Sequence, residues 1–318
     1  MTAPLGYEQL EPAESLADAL RHIAAERGLQ RPYAELVAVL GLGAAVVAKS
    51  DEPLELWPTY ARDARLVQAA GLYGLHPRPL HPPEATRGLS RSAEFALHFQ
   101  DSYAPLILEA LAHDQPVLAW RGWPAPSSRC WGMVTEERDG RLWGHVTTPG
   151  GELTPLIDPA HQIYIVEAQR PRLDESPEVS ALFPHVARLF REMWRGDWAA
   201  GPGVVAGARA YEHWMDCLRN RDKQHSPLHE QHSRVVRVLI AAREQLSQFL
   251  DGVRGEHVET ANRWKQACQR ITTIMHPFNF PGDVQSCLDK PGGVEPLTRA
   301  LEQARNIDAE IAELLGDG

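Results

Sequence analysis

Apolar positions follow two different rhythms along this chain. In the first half, short helical stretches give way to short strands; in the second, helical spacing runs nearly unbroken. Leu16, Ala19, Leu20 and Ile23 recur at three- and four-residue steps, which predicts a helix over 14–27 with Ser15 as a cap and Gly28 as its end. Leu36, Val37 and Leu40 predict a short helix over 33–40. Gly41-Leu42-Gly43 breaks it, and Ala44 to Ala48 is a short apolar run suited to a strand. A third helix is expected from Tyr60 to Ala70, capped by Trp57-Pro58-Thr59 and closed by Gly71. His76 to Pro83 is rich in proline and predicts a loop, and two further helices are expected over 92–99 and 103–113.

The stretch His113 to Val146 is the part the first half is built around. Val117 to Trp120 is a short apolar run behind the breaker Gln115-Pro116, the size of a buried strand. Trp131 to Val134 is a second run, Asp139-Gly140 a hairpin turn, and Leu142 to Val146 a third strand. Gln162 to Val166 alternates and is rich in β-branched and aromatic residues, which continues the sheet. The polar, proline-bounded segment 169–177 reads as a linker. Beyond it, helices are expected over 179–194, 204–219, 229–250, 258–275 and 297–314. Val235, Leu239, Ala242, Leu246 and Phe249 mark one face of the third of these, and Ala261, Trp264, Cys268, Ile271 and Met275 one face of the fourth. The expected architecture is α+β: a domain at 1–170 with helices and a central antiparallel sheet, then an α-helical bundle domain at 171–318.

Composition narrows the partners. A net charge of −10 argues against a nucleic-acid or anionic-membrane surface. Hydrophobic residues make up 43% and charged residues 23%, ordinary for a protein with a real core. The acidic N-terminus has no apolar signal region, and no run of apolar residues is long enough to span a bilayer. Cys130, Cys217, Cys268 and Cys287 are widely separated, with no CxxC pair. That spacing suits a reducing compartment, so a cytoplasmic location is expected.

Several pieces together carry a resemblance. They are the opening helix Ser15 to Gly28, the helix and turn Trp57 to Gly71, the strand Gln115 to Ala119, and the pair of strands around Trp131 to Val134 and Asp139-Gly140. In the second half, Gly207 to Trp214, Ala242-Arg243 and Phe249-Leu250 also match. On these the first half resembles a papain-like fold of the bacteriocin-processing peptidase type, and more closely the N-terminal domain of the butirosin-biosynthesis acyltransferase family. In active relatives a cysteine opens the first helix and a histidine opens the strand after the loop. Counting back from Gly28 puts Ser15 in the cysteine's place, and Trp131 stands in the histidine's place. The acid falls near Thr147-Thr148. The resemblance therefore implies a papain-like domain that has lost its catalytic cysteine and histidine, since a nucleophile without an adjacent base is not activated.

Other candidates come from the residues themselves. Ser15 is a nucleophile candidate at a helix N-terminus, against an ordinary N-cap role. Cys130 is another, with Arg129 to lower its pKa and His145 as base, against a small buried thiol. Asp18 and His22 share a helical face at i, i+4, either as an acid–base pair or as a surface pair. Trp120, Trp123, Trp131 and Trp143 line a ligand pocket or fill the core. In the pocket reading, Arg121 and His145 supply the polar groups, and Arg121 forms a fork for an anionic or acyl ligand. His225, His229 and His232, with His213 upstream, form the densest histidine group. No cofactor is expected, with a divalent metal on these histidines as the alternative. Gly41-Leu42-Gly43 lacks the third glycine and the following helix pattern of a dinucleotide fingerprint. The leading functional expectation is a non-catalytic protein that binds a small molecule or peptide in the cleft between helix 14–27 and the sheet. An acyltransferase or amidase with a Cys or Ser nucleophile, and a metal-binding helical domain, are the alternatives.

Overall fold

A computed structural model describes residues 12–49, 63–80, 93–128, 130–146, 153–168, 177–197, 203–220 and 227–316. The chain forms two compact units. One joins Met1–Leu36 to Tyr60–Pro177, and the other joins Val37–Thr59 to Glu178–Gly318. The segment Val37–Thr59 thus lies with the second unit rather than with the rest of the first 170 residues. The linker residues 169–176 lie outside the described residues.

The first unit is α+β. Its helices are α1 (Pro12–Glu26), α3 (Asp63–Gly71), α4 (Ala93–His98) and α5 (Ala104–Ala112), and α2 (Tyr33–Val39) begins in it. Its strands are β2 (Leu75–Pro79), β3 (Val117–Trp120), β4 (Trp131–Arg138), β5 (Arg141–Val146), β6 (Thr154–Pro155) and β7 (Gln162–Ala168). They make one six-stranded sheet in the order β2-β7-β3-β4-β5-β6, every neighbour antiparallel.

The register sorts the side chains of this sheet, because residues directly opposite each other share a face. Trp120 is opposite Trp131, and Leu118 is opposite both Met133 and Tyr164. These point toward α1, which packs on β4 and β5. Val117, Ala119, Val134, Ile163 and Ile165 point the other way, into a core shared with Phe99, Ile107 and Ala110 of the α4–α5 segment. Trp123 joins that second core. A Cβ on Gly132 would sit 2.5 Å from its indole ring. We expect Gly132→Ala to push Trp123 off its seat and cost about 1–3 kcal/mol, measured as a fall in urea midpoint with an unchanged slope.

Two expectations for this unit change. The proline-rich run at 76–83 contains a strand, β2, over Leu75–Pro79. It lies at the sheet edge, where proline's missing N–H leaves no ladder bond unmade. The helices expected at 92–99 and 103–113 are joined by a π-helical turn, Phe99–Tyr103, rather than by a break. A buried polar cluster ties the unit together. Tyr73 donates to Glu35 at 2.8 Å, and Arg31 pairs with the same carboxylate at 2.7 Å. Arg31 also donates to the Pro177 carbonyl at 2.8 Å. Burial, with Glu35 beside it, raises the Tyr73 hydroxyl well above the usual phenol range.

The second unit is mostly helical, with α6 (Val179–Arg195), α7 (Ala208–Arg219), α8 (Leu228–Asp251), α9 (Val258–Met275), α10 (Pro281–Leu288) and α11 (Val294–Leu315). Helix α9 packs along α8 and α11. The expected helix over 204–219 starts late, because Val204–Ala206 forms a strand, β8. It pairs antiparallel with β1 (Val47–Lys49). Gly207 separates β8 from α7 with φ 59°, and a Cβ there would lie 2.5 Å from the Trp194 carbonyl oxygen. Helix α10 was not expected from the sequence.

The core of this unit holds an ion pair. Arg243 of α8 donates to Asp308 of α11 at 2.8 Å and to the Gly43 carbonyl at 2.7 Å. Tyr211 of α7 donates to the same Asp308 oxygen at 2.8 Å. Burial works against the Arg243 charge, but Asp308, Tyr211 and Cys268 outweigh it and hold the guanidinium above its usual pKa. Gly41-Leu42-Gly43 therefore belongs to a packed turn. A Cβ on Gly43 would lie 2.9 Å from Leu246 Cβ, so the glycine allows a close approach to α8 and does not mark a dinucleotide loop. Among the described residues, no helix is long and apolar enough to cross a membrane.

Candidate functional site

The position the resemblance gives to a nucleophile lies against the position it gives to a base. Helix α1 starts at Pro12, so Ser15 lies inside its first turn and is not the N-cap. Its side chain is fully buried, and its hydroxyl oxygen accepts the backbone N–H of Trp131 at 2.9 Å. Trp131 is the first residue of β4. A helix residue and a strand residue that are 116 positions apart are thus joined by one hydrogen bond. The bond satisfies a buried backbone donor, which otherwise costs about 1–3 kcal/mol. Around it, Leu16, Ala17, Leu20 and Trp131 are all buried. The α1–sheet interface is filled here, and the expected cleft does not open at this point.

The open part of the same sheet face is the end of β3. Trp120 is half-buried and stacks on Trp131 with ring centroids 6.2 Å apart, and Trp131 touches Tyr164 at 5.9 Å. The Arg121 guanidinium lies 4.4 Å from the Trp120 ring centroid, a cation–π contact. The His161 ring meets the Trp120 ring edge-on at 6.0 Å, and Phe95 at 6.3 Å. Arg121 has φ 65°, an uncommon conformation for a side chain of this size. Burial, and then the Arg121 charge, lower the pKa of His161, so it is neutral at pH 7. Among the described residues, neither His161 ring nitrogen has a hydrogen-bond partner.

The remaining sequence candidates are scattered. Trp123 is buried in the core on the opposite face, and its Nε1 points at the Ala119 carbonyl at 3.4 Å. Trp143 lies farther along β5, with Arg138 at 5.5 Å from its ring. The four tryptophans therefore do not line one pocket. Cys130 is buried in the same core as Trp123. His145 instead stacks on His22 of α1 at 5.8 Å, so the thiol and its supposed base lie on opposite faces of the sheet. Arg129, Thr147 and Thr148 lie outside the described residues. Asp18 is buried and takes two hydrogen bonds from Arg21, at 3.1 and 2.7 Å, while His22 Nε2 is 3.7 Å away. The surface pair expected there is thus half-buried, with Arg21 as the main partner. An open cleft of about 280 Å³ lies elsewhere in this unit, between Arg78, Leu80, Leu106 and Ile165. None of the sequence candidates lines it.

In the second unit, His225 lies outside the described residues. His232 is fully buried, and Trp214 Nε1 donates to its Nδ1 at 3.0 Å. The neutral ring therefore carries its proton on Nε2. A metal on Nε2 would need that proton moved to Nδ1, where the Trp214 N–H already points. His229 Nε2 is 3.9 Å from Glu230, and His213 Nε2 is 3.5 Å from Cys217 Sγ. Among the described residues, no group of three or more His, Cys, Asp or Glu side chains is placed to hold a metal ion.

Sequence reasoning missed His161 and Tyr164 as members of the strand-end cluster. Tyr164 sits in an alternating strand and His161 just before it. Nothing local shows that this strand lies beside β3. No protein-family model matches the chain, and no curated protein matches it.

Proposed function

We propose that the first unit is a ligand-binding module of papain-like descent in which Ser15 performs no acyl transfer. The ligand meets the surface formed by Trp120, Arg121 and His161. The observation that carries this reading is the Ser15–Trp131 hydrogen bond. A serine nucleophile needs a base to take its proton and an open path to a carbonyl. Here a lone pair of the hydroxyl oxygen is taken by a backbone N–H, and the side chain is fully buried between α1 and the sheet, with no open path to a substrate. What stays half-exposed on that face is an aromatic surface with a forked cation and a neutral imidazole. Such a mixture of apolar area and a few polar groups suits a bound small molecule or a peptide end.

The test has two readouts. A fluorophosphonate probe should leave Ser15 unlabelled in the folded protein, as judged by peptide mass spectrometry. Ser15→Ala should lower stability by about 1–3 kcal/mol yet keep ligand binding, followed by tryptophan fluorescence against short peptides and small acids. Stoichiometric labelling of Ser15 would return the protein to the enzyme class. A set of peptides and acids that leaves the fluorescence unchanged would remove the binding reading.

A further inference from the structure

We propose that Arg121 and His161 together form an oxyanion site, so that the ligand of this surface carries a carboxylate or phosphoryl group. The inference rests on the binding-module reading and names the ligand chemistry within it.

Three observations converge. The first is position. Arg121 and His161 come from different parts of the chain, and both contact the Trp120 ring, the guanidinium over its face and the imidazole perpendicular to it. The Trp120 carbonyl accepts the backbone N–H of His161 at 2.9 Å, which holds the two residues in one frame. The second is the Arg121 backbone. Its φ of 65° is uncommon for a non-glycine residue. Its own N–H donates to the Cys130 carbonyl at 3.0 Å, so the loop closure maintains that conformation. The third is charge. The Arg121 guanidinium opposes protonation of the His161 ring, and among the described residues no carboxylate offsets it. A fixed cation and an imidazole that becomes a cation on protonation thus stand together in a protein whose net charge is −10.

An oxyanion fits this arrangement. A guanidinium offers five N–H donors in a planar fork, enough for a ligand as well as for protein acceptors, and it meets carboxylate and phosphate oxygens two at a time. An imidazole beside it adds one donor when neutral and a charge when protonated. The indole under Arg121 limits its rotamers, so less freedom is lost on binding. Anion binding must also favour the protonated ring. The pKa of His161 is then higher in the complex, and affinity rises as the pH falls through its titration.

The experiment is a proton NMR titration of the histidine ring signals in the full chain, with His161 assigned by His161→Asn. It is run in chloride, in acetate and in inorganic phosphate at equal ionic strength. The expected result is a rise of roughly one pKa unit for His161 in at least one oxyanion, equivalent to about tenfold tighter binding to the protonated ring. A rise in phosphate alone assigns a phosphoryl ligand, and a rise in acetate assigns a carboxylate. Arg121→Gln should abolish the rise, and Arg121→Lys should keep only part of it. The wild-type titration decides even if a variant folds poorly. An identical His161 pKa in all three salts would overturn the oxyanion site. That failure is distinct from labelling of Ser15, which would overturn the binding-module reading while leaving the His161 titration as measured.

Discussion

Asp308→Ala lowers the stability of the second unit by about 3–5 kcal/mol, because it leaves the Arg243 guanidinium charged, buried and unpaired. Arg243 and Asp308 are both about 1% exposed, so water cannot take over the lost bonds. Tyr211 loses its acceptor in the same step. Against a usual domain stability of about 5–15 kcal/mol, this is a large fraction. Urea unfolding followed by helical circular dichroism reads it directly. Asp308→Asn keeps an oxygen for Tyr211 but removes the charge, and should fall between wild type and alanine. The double replacement Arg243→Met with Asp308→Leu should recover much of the loss, since a packed apolar pair needs no desolvated charge. A loss below about 1 kcal/mol for Asp308→Ala would mean that water reaches the guanidinium, as at a surface pair.

The second large effect is the response to acid. Burial lowers the pKa of His232 to about 3. In the unfolded chain an exposed histidine titrates near 6.5. Between these values the unfolded state binds one more proton than the folded state, so stability rises with pH across that interval. It is fully present above about pH 6.5 and declines as the pH falls toward 3, by a few kcal/mol in total. His232→Asn can keep an acceptor near Nδ1 for Trp214 while removing the titration. The slope of stability against pH between 4 and 6 should therefore be shallower in this variant, whatever its absolute stability. Equal slopes in the two proteins would show that His232 is protonated in the folded state.

The sequence reveals elements better than partnerships. Helix α9 was expected over 258–275 and spans Val258–Met275, because Ala261, Trp264, Cys268, Ile271 and Met275 keep an uninterrupted helical period. Strand β3 was equally plain at Val117–Trp120. Strands β2 and β8 were missed for opposite reasons. The prolines of β2 suggested a loop, and β8 is too short to show a period before α7 takes over. The strand-end site was half legible. Trp120, Arg121 and Trp131 stood out by type, but His161 reaches them only through the β3–β7 pairing. Asp308 did carry an unread signal. It falls at core spacing with Leu301, Ala304 and Ile311 on one face of α11. A lone carboxylate on an apolar stripe announces a buried cation somewhere else.

The pairing of Val47–Lys49 with Val204–Ala206 has a consequence for the order of events at the ribosome. Domains usually fold in the order in which they emerge, N-terminal first. Here a segment from the first sixty residues belongs to a body whose other strand emerges more than 150 residues later. The segment Val37–Thr59 waits, tethered between parts of the first unit, until the second half of the chain is made. A nascent chain stalled near residue 177 would hold β1 without its partner strand, and a separately expressed 178–318 would carry β8 with the same vacancy.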